Sequence, residues 1–339
     1  GGGCMCVCTC VRACVGCVTL CVATRTYADY TPEKIKAMTW SQKKQTAKRL
    51  GIDVPVRSKD TEIAEAEEKR FITAANKAVH QGLSLDHSLW DSVLKACISR
   101  GSIRDIELNV FDYQKLMDAE SKDSLGSKFD RYLEQLAKAD EKSLSVNDHL
   151  ATLFNAYNAL CVGHIVRTMR AGKEVDSILK LNNEKAKIWD QKAGTLFGNE
   201  VSLSDVEHKL LRAKWADARL HACIVCASVS CPDLRGEAYV GGDRLDVQIT
   251  EQMNGWLANQ KKGFDVKEDG KGVHLSSIFT WFQGDFKPNV LSFIAPYLPA
   301  KYGSFKKTTR FSIEYMPYDW GVNSKKMSDK EAAATAAEK

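Results

Sequence analysis

Residues Ser145–Arg170 read SVNDHLATLFNAYNALCVGHIVRTMR. Ser145 followed three residues later by Asp148 has the form of a capping box, and Gly172 stands where a helix should stop. Between them Leu150, Leu153, Phe154, Tyr157, Leu160, Cys161, His164, Ile165 and Thr168 cover most of a helical circumference. A helix apolar nearly all round is a buried one, so this stretch is expected to be the central helix of the fold. Asn155 and Asn158 on such a helix need hydrogen-bond partners. Two readings stand: they tie neighbouring loops to the core, or they line a pocket.

Moving outward, Val201–Leu234 holds the densest set of chemically able side chains: Glu207, His208, Arg219, His221, Cys226, Ser228, Ser230 and Cys231. Ser202 and Asp205 predict a helix start, with Leu203, Val206, Leu210 and Leu211 at helical spacing behind them. Leu220–Ala227 is a nearly unbroken apolar run of strand length and fits a buried strand, although periodicity alone does not exclude a helix. A thiol nucleophile needs a cationic or imidazole neighbour to lower its pKa. His221, His208 and Arg219 are the candidates for that neighbour, and Glu207 for the group that orients the imidazole. In a straight strand His221 and Cys226 point to opposite faces, which favours Cys231, beyond the turn, as the partner of His221. The plainer reading makes Cys226 core, His221 a satisfied buried imidazole, and Ser228 and Ser230 turn-bonding hydroxyls. A Cys226–Cys231 disulfide is a third reading, and a zinc site completed by His221 and His208 a fourth. The run Glu207-His208-Lys209-Leu210-Leu211-Arg212 lacks the second histidine of a zincin helix. No phosphate-binding glycine loop and no nucleophile-elbow motif occurs, and no cofactor or metal is assigned.

Leu125–Ala139 predicts an amphipathic helix, Lys187–Val201 a β-hairpin, and Asp243–Gln260 a helix. Asp269-Gly270 marks a further hairpin turn, Ser276–Phe286 and Val290–Tyr297 short helices, and Phe311–Tyr315 a last strand. Helices outnumber short, late strands, so the class expected is α+β: a small mixed or antiparallel sheet packed on the central helix, preceded by an N-terminal helical extension. In that extension Asp60–Gly82 and Ser84–Gly101 predict two helices, with His80 and His87 at the turn between them.

The chain has 339 residues and a net charge of +5, with both signs interspersed. That is not the clustered basic footprint of a nucleic-acid binder. Seven of the twelve cysteines fall in the first 21 residues, so the body is not a disulfide scaffold. This Cys-Val leader has three readings: a metal-binding thiolate cluster, a translated dinucleotide repeat, or a targeting segment. The last would direct the chain to an organelle (plastid or mitochondrion) or the secretory route; without it the compartment expected is the cytoplasm. Pro32–Leu50 predicts one basic helix with a thin apolar face, N-capped by Thr31. Such an arm is expected to order only against a protein partner or an anionic membrane surface, through Lys43, Lys44, Lys48 and Arg49.

Four blocks carry a resemblance: LFNAYNAL at Leu153–Leu160, the Ser202–Pro232 stretch with its CASVSCP turn, LSSIFTWFQGDF at Leu275–Phe286, and IEYMPYDWGVN at Ile313–Asn323. Together they resemble the domain of unknown function numbered 547, over roughly 112–323. Members often carry Asn where this chain has Val225, so any polar role of that side chain is lost here. The organisation expected is a leader at 1–28, a basic arm at 29–59, a helical extension at 60–108, the α+β domain at 109–323 and a flexible tail at 324–339. Relatives in that family often carry appended coiled-coil or redox domains. The unassigned basic arm, the loss of Asn at Val225 and the lack of a complete catalytic set predict a non-catalytic binding or assembly subunit, part of a larger complex, a role that the resemblance suits. The alternative is a thiol-dependent hydrolase or acyltransferase using Cys231 with His221.

Overall fold

The computed structural model describes residues 37–50, 52–79, 82–215, 217–302 and 312–337. The leader, Thr31 and His80 lie outside them. The class is α+β, as expected: helices dominate and the strands form three small sheets.

Helix α1 (Trp40–Leu50) lies against α2 (Thr61–Val79). Ala47 is fully buried with Phe71 and Ala75, and Val146 packs beside them. Lys43 is buried as well and pairs with Glu68 at 2.6 Å. The thin apolar face expected to order only against a partner thus has a partner within the chain for Trp40–Leu50. The small Ala47 permits close approach of the two helices, and the Lys43–Glu68 pair supplies what the thin apolar face lacks.

Helix α3 (Ser88–Cys97) ends earlier than expected, because Ile98–Ile103 forms β1, paired antiparallel with β2 (Ile106–Phe111). Arg104 and Asp105, both at positive φ, make the turn. The apolar spacing that continues helically through Ile98 is therefore overridden by hairpin pairing. His87, expected at the turn between two helices, is buried between Tyr132 Oη at 2.8 Å and Thr152 Oγ1 at 3.3 Å.

Helix α4 (Leu125–Lys138) and the central α5 (Val146–Arg170) follow. Ser145 caps α5 by accepting from the Asp148 backbone N–H, and from Leu150 to Val166 every residue of α5 is buried. A second hairpin, β3 (Lys192–Leu196) with β4 (Asn199–Ser202), packs on α5. Gly194 lets the hairpin approach α5 closely, since a Cβ there would stand 2.6 Å from the end of the Leu160 side chain and make it shift. The Ser202–Asp205 pair forms the predicted box: Ser202 Oγ accepts from Asp205 N at 3.0 Å, and Asp205 Oδ2 accepts from Ser202 N at 2.9 Å. It opens a π-helix, Asp205–Arg212.

The predicted strand Leu220–Ala227 is not one. Leu220–Cys223 is a single helical turn, α6, and the chain then runs extended from Ile224. Helix α7 (Leu245–Ala258) packs on α6, and β5 (Phe264–Val266), β6 (Gly272–Leu275) and β7 (Ser312–Tyr315) form a mixed sheet. Two short helices, α8 (Ile278–Trp281) and α9 (Val290–Ile294), lie between β6 and β7. The tail forms α10 (Lys325–Ala337), whose Ser328 is buried against β1.

The two main apolar clusters of the described interior are a large one around α5 and a smaller one around α7, β5, β6, α8 and α9. Among the described residues no helix is long and apolar enough to cross a membrane.

Candidate active site

Asn158 positions the reactive stretch from below. Its Nδ2 donates to Cys223 O at 2.9 Å and its Oδ1 accepts from Val225 N at 2.8 Å. One buried amide thus satisfies both backbone groups where α6 gives way to extended chain. Asn155 does the same for the Tyr239 N–H and C=O. Both asparagines tie loops to the core, and neither lines the cavity described below.

Tyr318–Asn323 clamps the stretch from above. Val229 N donates to Gly321 O at 2.8 Å, Asn323 N to Ala227 O at 2.9 Å, and Asp319 N to Ser230 Oγ at 2.8 Å. Held from both sides, Ala227 adopts φ +62°, a left-handed conformation that costs a residue with a Cβ about 1–2 kcal/mol. That reversal turns Cys226 and Cys231 to face each other, their sulfurs 3.2 Å apart.

Both sulfurs line a cavity of about 220 Å³ between the two core clusters. Tyr157, Glu207, His208 and His221 also line it, and Trp189, Trp281, Phe282, Tyr318 and Trp320 form its aromatic walls. Trp281 stacks on Trp320 and is itself half exposed, so the aromatic wall reaches solvent.

The two thiols are not equivalent. Cys226 Sγ lies 3.0 Å from Ser228 Oγ, 3.2 Å from Cys231 Sγ and 3.6 Å from Tyr318 Oη, three groups able to donate to a thiolate. Cys231 Sγ accepts one backbone N–H, from Cys226 at 3.2 Å. Donation from Cys231 is the largest influence on Cys226 and, with Ser228 and Tyr318, outweighs burial to hold its pKa below the usual thiol value. Burial, and then the neighbouring Cys226, push Cys231 well above it.

His221 is almost fully buried, with Nε2 2.8 Å from Asp285 Oδ2 and its ring stacked on Phe282 at 4.3 Å. Burial lowers its pKa, opposed by Asp285. Arg212 grips the same carboxylate twice, Nε to Oδ2 at 2.7 Å and Nη2 to Oδ1 at 3.0 Å. Burial of Asp285 is outweighed by the hydrogen bonds from His221 and Arg212, which keep it far below the usual carboxylate range. Asp285, not Glu207, therefore orients His221. Burial pushes Glu207 up to about 7, against the pull of Arg212, and its Oε2 lies 3.5 Å from Tyr157 Oη.

The helical turn of α6 corrects the strand expectation that set His221 and Cys226 on opposite faces: both line the one cavity. His208 sits at the cavity wall beside Arg212, while Arg219 is engaged by Asp217 and Asp246 outside it. Ser228 contacts the thiol and Ser230 buttresses the clamp. Lys43 is committed to Glu68, and Lys44 and Lys48 are exposed. Among the described residues no group of three or more His, Cys, Asp or Glu is arranged to hold a metal ion.

Site-by-site sequence reasoning did not pick out Asp285, Arg212, Tyr157, Tyr318 or the aromatic walls. All but Trp189 lie in the four resemblance blocks, which converge on this cavity. The comparison with protein families agrees: the family described as "Protein of unknown function, DUF547" matches residues 141–257. That match supports the resemblance and takes in the central helix, Glu207, His221 and both cavity thiols. No curated protein and no solved structure matches the chain.

Proposed function

We propose that this chain is a thiol-dependent acyltransferase or hydrolase whose nucleophile is Cys226. The observation that carries the reading is the convergence in one aromatic cavity of Cys226, ringed by hydroxyl and thiol donors, with His221 held by Asp285. A thiolate is the reactive form of cysteine, and hydrogen-bond donation stabilises it. Attack of the sulfur on an acyl carbon expels a leaving group, which takes its proton from neutral Glu207. A carboxyl with pKa about 7 is matched to that task near neutrality. His221, kept neutral by burial, then accepts the proton of the water or alcohol that releases the acyl group. The cavity walls suit a small uncharged acyl group with an apolar or planar portion.

The adaptor reading rests on an unassigned basic arm, the loss of Asn at Val225 and an incomplete catalytic set. The packing of α1 weakens the first support and the His221–Asp285 pair the last.

The test is an acylation burst with p-nitrophenyl acetate followed by intact-mass analysis. One acetyl group on Cys226 is expected, retained in Cys231→Ser and absent in Cys226→Ala. A burst that survives in Cys226→Ala contradicts the proposal by placing the nucleophile elsewhere, and no adduct at all contradicts it and favours the adaptor.

A further inference from the structure

The second thiol forms no bond to the acyl group in that chemistry, yet it touches the first. We propose that Cys226 and Cys231 are a reversible disulfide site, closed when a hydroperoxide oxidises Cys226 and opened by a dithiol reductant. This inference rests on the reading that Cys226 is the reactive thiol.

The geometry already approximates the product. The sulfurs are 3.2 Å apart, and a disulfide bond of about 2.05 Å asks them to close by only about 1.2 Å. The turn that pairs them is fixed in the reduced chain: Cys231 N donates to Ser228 O at 3.1 Å, and Cys226 N donates to Cys231 Sγ. Little conformational entropy therefore remains to be lost on closure. The other three cysteines of the described residues do not line the cavity. Cys223, nearest in sequence, is buried with its thiol donating to Arg219 O at 3.5 Å.

The steps balance. The Cys226 thiolate attacks one oxygen of the hydroperoxide; an S–O bond forms, the O–O bond breaks, and the departing oxygen leaves as an alcohol or water once protonated. Sulfur has lost two electrons and is a sulfenic acid. The Cys231 sulfur attacks it, the S–S bond forms, and hydroxide leaves with the Cys231 proton as water. The disulfide caps the nucleophile and so stops acyl transfer. It also spares Cys226 from irreversible sulfinic acid. Two dithiol sulfurs later take up the bond and restore both thiols.

Trypsin cuts after Arg219 and Arg235, releasing Leu220–Arg235 with Cys223, Cys226 and Cys231. The full-length reduced protein is treated with hydrogen peroxide, then alkylated with iodoacetamide under denaturing conditions and digested. The expected peptide carries one alkyl group, on Cys223, and a Cys226–Cys231 bond; dithiothreitol before alkylation restores three alkyl groups. In Cys231→Ser, peroxide should instead give a dimedone-reactive Cys226 that proceeds to sulfinic acid and no longer recovers. Three alkylated cysteines after peroxide, or a bond to Cys223, overturns the inference. The acylation burst separates the two readings. A burst without a disulfide sinks only this inference. A disulfide without a burst sinks the enzyme reading and leaves the redox site standing.

Discussion

At the residue scale, Glu207 and Cys226 place opposite demands on pH. The thiolate is needed for attack, so activity is lost as pH falls through the Cys226 pKa. The neutral carboxyl is needed for leaving-group protonation, so activity is also lost as pH rises past about 7. A bell-shaped profile of kcat is expected. Glu207→Gln should cut kcat by roughly 100-fold, the scale of one lost general acid, and remove the alkaline limb. An alkaline limb unchanged in that variant would assign it to another group. The glutamate was named from sequence, but as the orienter of the imidazole. Its real surroundings, Tyr157 fifty positions upstream and Arg212 five positions along the π-helix, depend on tertiary packing and local helix type that spacing does not encode.

At the element scale, α5 was legible because burial and capping both follow helical spacing. The hairpins at Phe197-Gly198 and Asp269-Gly270 were legible because turn chemistry is local. Leu220–Ala227 was misread for a physical reason: a short apolar run has no period, and here Asn158 decides its path. Asn158→Ala leaves Cys223 O and Val225 N buried without partners, a loss of roughly 2–4 kcal/mol. Urea denaturation should show it, together with loss of selective Cys226 labelling. An unchanged midpoint would mean that water replaces the amide. The arm is a contrasting case, since one alanine and one ion pair join to the body a helix whose apolar face is thin. Hydrogen exchange on the isolated chain should show Trp40–Leu50 protected, and Ala47→Glu should abolish that protection without disturbing α5. An unprotected arm in the unmutated chain would contradict the packing described for α1.

At the scale of the molecule, the site lies where the two core clusters meet, and its four sequence blocks are far apart along the chain. The buried histidines make this fold acid-sensitive. Burial lowers His87 and His164 to about 4, so each stays neutral in the fold while the unfolded chain takes up a proton below about 6.5. Stability is therefore present above 6.5 and declines toward 4, by about 2 kcal/mol per histidine at pH 5 relative to pH 7. Glu207 acts in the opposite sense: its folded pKa is raised, so the penalty for its ionisation vanishes as pH drops and offsets about one histidine. The urea midpoint should fall from pH 7 to pH 5, and fall further in Glu207→Gln; a flat or rising midpoint contradicts this balance. The central claim is that Cys226 is a thiolate made reactive by its neighbours in the cavity. Its most direct test is the rate of Cys226 alkylation by iodoacetamide against pH, followed by peptide mass in the full-length reduced protein. The expected curve has its inflection below the free-thiol value of about 8.5 and moves upward in Tyr318→Phe and in Cys231→Ala. An inflection at or above that value, or labelling of Cys231 before Cys226, would contradict the account.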